Sequence, residues 1–209
     1  MLDHIVLATN DLDATTAWIA EMTGVTASVG GSHVNMGTRN ALCALDDGAY
    51  LEIIGVDPDQ PEPAQPRVFG IDGLTSPGVV GWCARRGDIP GLMMSAAGLG
   101  LSFTGPTSMQ REAPSGLVSC ELTMPDFENA GGLIPFFIKW STPTHPSEDA
   151  APGLKLVTFR AGHPEPGDVL HQLQRLGEPI EVRRGAVPAL KVRVSGPGGA
   201  VTLPTAEFG

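Results

Sequence analysis

The chain has 209 residues, 42% hydrophobic and 17% charged, enough for one large or two small units with a buried core. Its 23 acidic residues outweigh 13 basic ones for a formal charge of −10, which argues against nucleic acid or an anionic membrane surface as a partner. With 27 glycines, 19 prolines and only 5% aromatic residues, turns and short strands are favoured over a helical bundle. The three cysteines, Cys43, Cys83 and Cys120, are odd in number and widely spaced, so a disulfide framework is not expected and a reducing cytoplasm fits. A basic n-region with an apolar run behind it is absent, as is any run of about 18 apolar residues. The expectation is a soluble, cytoplasmic, acidic protein.

In chain order, residues 2–8 form an apolar run, Asn10 and Asp11 are capping candidates, and Leu12, Thr15, Ile19 and Met22 recur at helical spacing before Gly24. Extended stretches follow at 26–34, 39–46 and 49–56, the last two joined by the hairpin signal Asp46-Asp47-Gly48. Four prolines between Asp57 and Pro66 mark a connector. The order then repeats: a strand over Val79–Ala84, a helix capped by Asp88 with Pro90 in its first turn, and extended runs at 101–107, 116–124 and 133–140. After a second connector at 143–153 comes a shorter copy, with a strand over Leu154–Arg160, a helix from Pro166 to Leu176, and strands at Glu181–Arg183, Ala189–Val194 and Ala200–Leu203. The opening strands start at positions 2, 79 and 154, about 75 residues apart. Two such units side by side would curl their sheets into an open, apolar cup suited to a small molecule.

Three groups of residues then resemble the vicinal oxygen chelate superfamily, within it the glyoxalase-like domain proteins. They are Leu2-Asp3-His4-Ile5-Val6-Leu7-Ala8 with Asp11-Leu12; Gly30-Gly31-Ser32-His33 with Gly37-Thr38-Arg39-Asn40-Ala41-Leu42; and Tyr50-Leu51-Glu52-Ile53-Ile54. Ile134-Pro135-Phe136-Phe137-Ile138-Lys139-Trp140 and His145-Pro146 fit the second module of that branch. The resemblance implies an α+β fold in which paired βαβββ modules form a curved, cup-like mixed sheet with helices outside. The first module would span 1–57, a Pro-rich connector 58–78, the second module 79–142, and a third, shorter βαβββ-like unit 154–209. It implies no single reaction, because this superfamily includes isomerases, dioxygenases, epimerases and ligand-sequestering proteins. Superfamily members often pair modules between chains, so a homodimer is an open alternative to pairing within one chain.

Strand alternation puts His4, with Leu2 and Val6, opposite the helix-facing Ile5 and Leu7, and puts Glu52, with Tyr50 and Ile54, opposite Leu51 and Ile53. In metal-dependent relatives, ligands occupy these two strand positions, and an imidazole with a carboxylate suits divalent zinc, iron, nickel or manganese. Aligning the second module places Gly81 or Trp82 opposite His4 and Phe137 opposite Glu52, and none of these is a ligand. His33 is then the best third ligand, giving a His4–His33–Glu52 set; the alternative is a metal-free pocket in which His4 and Glu52 form a buried pair. The Gly30-Gly31 step suggests a bulge or a close backbone approach. Arg39 or Asn40 would meet an anionic or amide-bearing substrate, or else Asn40 and Thr38 satisfy a turn. Trp82, Phe137 and Trp140 would supply aromatic walls, and His145 would stand at the pocket mouth or anchor a loop. His163 and His171 are expected as surface or capping residues, and Cys43 as a small buried hydrophobe. The functional expectation is a lyase, isomerase or dioxygenase acting on a small oxygenated metabolite, with Glu52 and His4 catalytic. The alternative is a binding protein that uses the same cup without catalysis.

Overall fold

The computed structural model describes residues 1–113, 116–123 and 130–209. Strand β1 (Leu2–Ala8) leads into helix α1 (Leu12–Thr23). Asp11 caps that helix by accepting from the Ala14 N–H, and Gly24 ends it at φ 73, a left-handed conformation that favours glycine. Asp11→Ala is expected to cost about 1 kcal/mol, read as a lower midpoint of chemical unfolding with an unchanged slope.

Strands β2 (Ser28–His33), β3 (Thr38–Ala44) and β4 (Tyr50–Val56) follow. Beyond the connector lie β5 (Leu74–Ser76), β6 (Gly78–Arg85), helix α2 (Ile89–Ala97), β7 (Thr107–Ala113), β8 (Gly116–Leu122) and β9 (Phe136–Trp140). The chain continues through α3 (Pro146–Asp149), β10 (Lys155–His163), α4 (Pro166–Arg175), β11 (Glu181–Arg184), β12 (Ala189–Gly196), β13 (Gly199–Thr202) and β14 (Glu207–Phe208). The strand expected over 101–107 is absent. Gly105 sits at φ 123 and Pro106 has no N–H for a ladder, so pairing starts at Thr107. For the same reason the stretch expected from 133 pairs only after Pro135.

The fold is mixed α+β. Eight strands close into a barrel in the order β1-β4-β3-β2-β7-β8-β9-β6, where the sequence suggested an open cup. The closing seam between β2 and β7 rests on one residue pair, His33 opposite Arg111. A separate four-stranded sheet runs β11-β10-β12-β13, and β14 pairs with β5.

Period-two alternation divides the apolar residues of the barrel into two cores. Ile5, Leu7, Leu51 and Ile53 face outward and pack with Ile19, with Leu173 and with Val192 and Val194 of the second sheet. Val6, Ile54, Cys83, Leu122, Phe136 and Ile138 face inward. Leu2 departs from the expected inward set and packs on the outer core, because a bulge between Leu2 and His4 breaks the alternation. The first strand is pinned at its start, where the Met1 ammonium donates to Glu178 Oε1 (2.6 Å) and Oε2 (2.8 Å). No helix among the described residues is long and apolar enough to cross a membrane.

Candidate functional site

Parallel pairing of β1 with β4 sets His4 opposite Tyr50 and Val6 opposite Glu52. Paired residues share a sheet face, so His4, Tyr50 and Glu52 all turn into the barrel, where they line a cavity of about 80 Å³. The His4 ring stacks on Tyr50 with centroids 4.8 Å apart and meets the Phe136 ring edge-on at 5.4 Å. His33, Asn40 and Arg111 complete the polar side of the cavity; Val118, Leu122 and Ile138 belong to its apolar side.

Asp3 organises this site from behind. It is fully buried, and its Oδ2 accepts from Arg85 Nε (2.9 Å) and Trp140 Nε1 (3.0 Å). His145 Nε2 lies 3.1 Å from the same oxygen and 2.7 Å from Arg85 Nη2. Burial alone would raise the Asp3 carboxyl, but hydrogen bonding from His145, His4 and Trp140 outweighs it and holds the group well below the usual carboxylate range. An ionised Asp3 only accepts, so His4 donates from Nδ1 to Asp3 Oδ1 over 2.7 Å. That leaves His4 Nε2 facing Glu52 Oε2 across 3.6 Å.

On the other side of Glu52 stands His33, its Nε2 3.7 Å from Oε1. Asn40 Nδ2 donates to Glu52 Oε1 and lies 3.3 Å from His33 Nε2, while His33 Nδ1 is 2.9 Å from Thr38 Oγ1. Burial lowers the His33 pKa, with Glu52 opposing and Arg111 reinforcing the shift, so this imidazole is held neutral. Tyr50 is pushed well above the ordinary phenol value by burial and by the charges of Asp3 and Glu52. Burial likewise pushes Cys120 up to about 12 and Cys83 well above its ordinary value, so both remain thiols.

The other candidates fall elsewhere. Arg39 precedes Asn40, so alternation sends it outside the barrel, where Nη2 pairs with Asp13 Oδ1 at 3.2 Å. Trp82 and Phe137 also face outward. Trp82 pairs with Ile5 and Phe137 with Ala84, which puts both in the outer core. Trp82 donates from Nε1 to the Leu133 carbonyl, and Phe137 packs edge-on against Phe103 at 5.5 Å. The residues that face His4 from the second half are one position away: Cys83 on β6 and Phe136 on β9. Aligning the two halves by sequence slipped by one, and such a slip exchanges every inward residue for an outward one.

Trp140 lines the cavity, whereas His145 does not and serves as the N-cap of α3, in a capping box with Glu148. The glycine pair does mark a bulge, between Val29 and Gly31. The close approach there is internal, since a Cβ on Gly30 would lie 2.0 Å from Asn40 Oδ1. His163 Nδ1 accepts from the Glu165 N–H at the start of α4, His171 is exposed, and Cys43 is buried with its thiol pushed up to about 12. Sequence reasoning missed Asp3, Phe69 and Arg111. Arg111 shares the inward face with Met109, two residues before it, along a strand that the sequence reading did not assign. Phe69 reaches the cavity from the connector at φ 60, a conformation that no local signal announces.

Two donor sets bear on a metal ion. Asp3, His4 and Cys83 are a buried group that could hold one, with ligand atoms within 4.8 Å of one another. Without an ion, Asp3 accepts from Arg85 and Trp140 and burial keeps Cys83 a thiol, so binding one there would require the thiol to give up its proton. His4, His33 and Glu52 have suitable chemistry, but they do not form such a group among the described residues, and the Asn40 amide stands between His33 and Glu52.

The sequence matches the family described as glyoxalase-like domain over residues 2–177. No protein of curated function matches the chain. Among solved structures, a hypothetical protein from Staphylococcus aureus is similar in fold at 16% identity and a TM-score of 0.65, covering 99% of this chain and 88% of that one. Methylmalonyl-CoA epimerase from Mycobacterium tuberculosis aligns at 20% identity and a TM-score of 0.46, over 66% of this chain and 85% of that chain. The Streptomyces coelicolor enzyme of the same name, in complex with 2-nitronate-propionyl-CoA, aligns at 17% identity and 0.47, over 68% and 97%.

Proposed function

Since the chain belongs to the glyoxalase-like domain family, we propose that it is an isomerase- or lyase-type enzyme that moves a proton on a small oxygen-bearing metabolite, with Glu52 as general base. The observation that carries this reading is the pairing of Glu52 with His4 inside the buried barrel interior. Glu52 is only 7% exposed, and the imidazole facing it is oriented by Asp3 through its other nitrogen. Glu52 Oε2 takes the proton from a carbon next to the substrate carbonyl, and His4 Nε2, 3.6 Å away and without a proton of its own when Nδ1 donates to Asp3, is the acceptor that faces Oε2 once it is protonated. Tyr50, kept as a phenol, is a neutral donor toward the oxygen that gains charge. Return of the proton to the neighbouring carbon, or reprotonation of the same carbon on its opposite face, completes an isomerisation; departure of a leaving group from the neighbouring carbon completes an elimination.

The test is solvent exchange. Incubated in D₂O with a panel of short 2-oxo and 2-hydroxy acids and followed by proton NMR, the protein is expected to wash out the C–H signal next to the carbonyl of at least one compound. If no compound exchanges faster than in buffer, the reading fails. Because this reading assigns the proton transfer to Glu52 without an ion, dialysis against a chelator is expected to leave the exchange rate unchanged. A chelator-sensitive rate would return His4 to a ligand role.

A further inference from the structure

Arg111 is the charged side chain of the barrel interior that the proton-transfer chemistry leaves unused. It is only 7% exposed, on β7 at the seam opposite His33, and it lines the same cavity as Glu52. Among the described residues its hydrogen bond is one long contact, Nη1 to Asn40 Oδ1 at 3.5 Å, and it makes no ion pair. The nearby acid is engaged elsewhere: Glu52 accepts from Asn40 and lies between the two imidazoles. A guanidinium removed from water costs several kcal/mol unless an anion with matching geometry meets it. Its planar fork of donors matches a carboxylate, which can take two parallel hydrogen bonds.

We infer that Arg111 anchors a carboxylate on the ligand, and that the compound bound is a small monocarboxylic acid with an apolar tail. The inference deepens the proton-transfer reading and rests on it for taking this cavity as the site. Size supports it. A cavity of about 80 Å³ holds about five to eight water-sized atoms at one probe sphere each, which suits a short oxyacid and leaves little room for a bulky one. The walls agree, because Val118, Leu122, Phe136 and Ile138 give an apolar surface for the tail. With the carboxylate on Arg111 and the tail on these residues, the carbon next to the carboxylate turns toward Glu52. The guanidinium would then also stabilise the charge that builds on the acid when that carbon loses its proton.

The test compares isobutyrate with isobutyramide, an isosteric neutral probe, by titration at constant pH and ionic strength while following the Trp140 indole N–H by NMR. Wild-type protein is expected to bind the acid at least tenfold more tightly than the amide. Arg111→Met should abolish that preference, and Arg111→Lys, which keeps the charge without the fork, should retain only part of it. Should Arg111→Met fail to fold, as judged by circular dichroism, Arg111→Lys alone decides. Equal binding of acid and amide, no binding of the acid, or undiminished preference in Arg111→Lys each overturn the inference. Glu52→Gln separates the two readings, because it removes a negative charge from the cavity and should bind isobutyrate at least as tightly as wild type. Preserved carboxylate selectivity without solvent exchange in any compound would leave the Arg111 anchor standing and sink the general base.

Discussion

Glu52→Gln is expected to lower the rate of solvent exchange by at least 100-fold while leaving the protein folded. A positioned general base contributes typically ~10²–10⁴ to a proton-transfer step. Glutamine is isosteric, and its side-chain oxygen still accepts from Asn40 Nδ2, so the barrel interior loses a charge without losing volume. The stability change should stay near ~1 kcal/mol, the net worth of a typical hydrogen bond. The comparison variant is His33→Gln, which leaves the base in place and removes the imidazole that lies 3.7 Å from Glu52 Oε1. It should slow exchange far less than Glu52→Gln. Wild-type exchange in Glu52→Gln would end the general-base assignment.

The largest stability effect belongs to Asp3. Asp3→Ala strips the acceptor from Arg85, Trp140 and His4 at once and leaves their donors buried or half-buried without a partner. Breaking a buried charged pair on one side costs ~3–5 kcal/mol, and in a chain of this size each kcal/mol lowers Tm by about 2–4 °C. A fall in Tm of roughly 6–20 °C is therefore expected, together with lost exchange activity, because His4 loses the group that fixes its ring. A Tm within 2 °C of wild type would show that the network contributes nothing to stability.

Two pH windows follow from the same network. The folded-state pKa of Asp3 is depressed, so the unfolded chain binds the extra proton; the stabilisation is full above about pH 5, starts to fail as pH passes the ordinary carboxylate value near 3.9, and keeps falling toward the depressed folded-state value. The folded-state pKa of His33 is also depressed, so it favours folding above its ordinary value of 6.5 and withdraws that support as pH drops below it. The charged and titratable groups acting on His33 are Glu52, Arg111, His4 and Asp57. Unfolding midpoints measured from pH 8 to pH 3 should decline first near 6.5 and more steeply below 4, and His33→Gln should remove the first decline alone.

Local chemistry was enough to read several of these features. The Asp11 cap and the Gly24 stop flank α1 because both act through neighbouring backbone groups. The inward turn of His4 and Glu52 follows from alternation, which needs only the apolar partners on either side of each residue. Arg111 could not be found this way. Its strand begins one residue after Pro106, carries little apolar pattern, and reaches the site by closing a seam with His33, 78 positions away in sequence. Phe69 arrives from a connector that the prolines marked only as a loop.

The α+β class, the inward pair on the first and fourth strands and the acidic balance were all legible in the sequence. These depend on composition and on a two-residue period, both local quantities. Tertiary structure decided what faces that pair. Inter-strand register made Cys83 and Phe136 the inward neighbours instead of Trp82 and Phe137, since a shift of one residue reverses the face of a whole strand. Barrel closure put Arg111 opposite His33, on a strand where sequence reasoning placed no site residue. The buried carboxylate of Asp3, which sequence reasoning passed over, holds His4 in place through partners on β6, β9 and α3. Such contacts join residues up to 142 positions apart, and only the folded chain brings them within hydrogen-bonding distance.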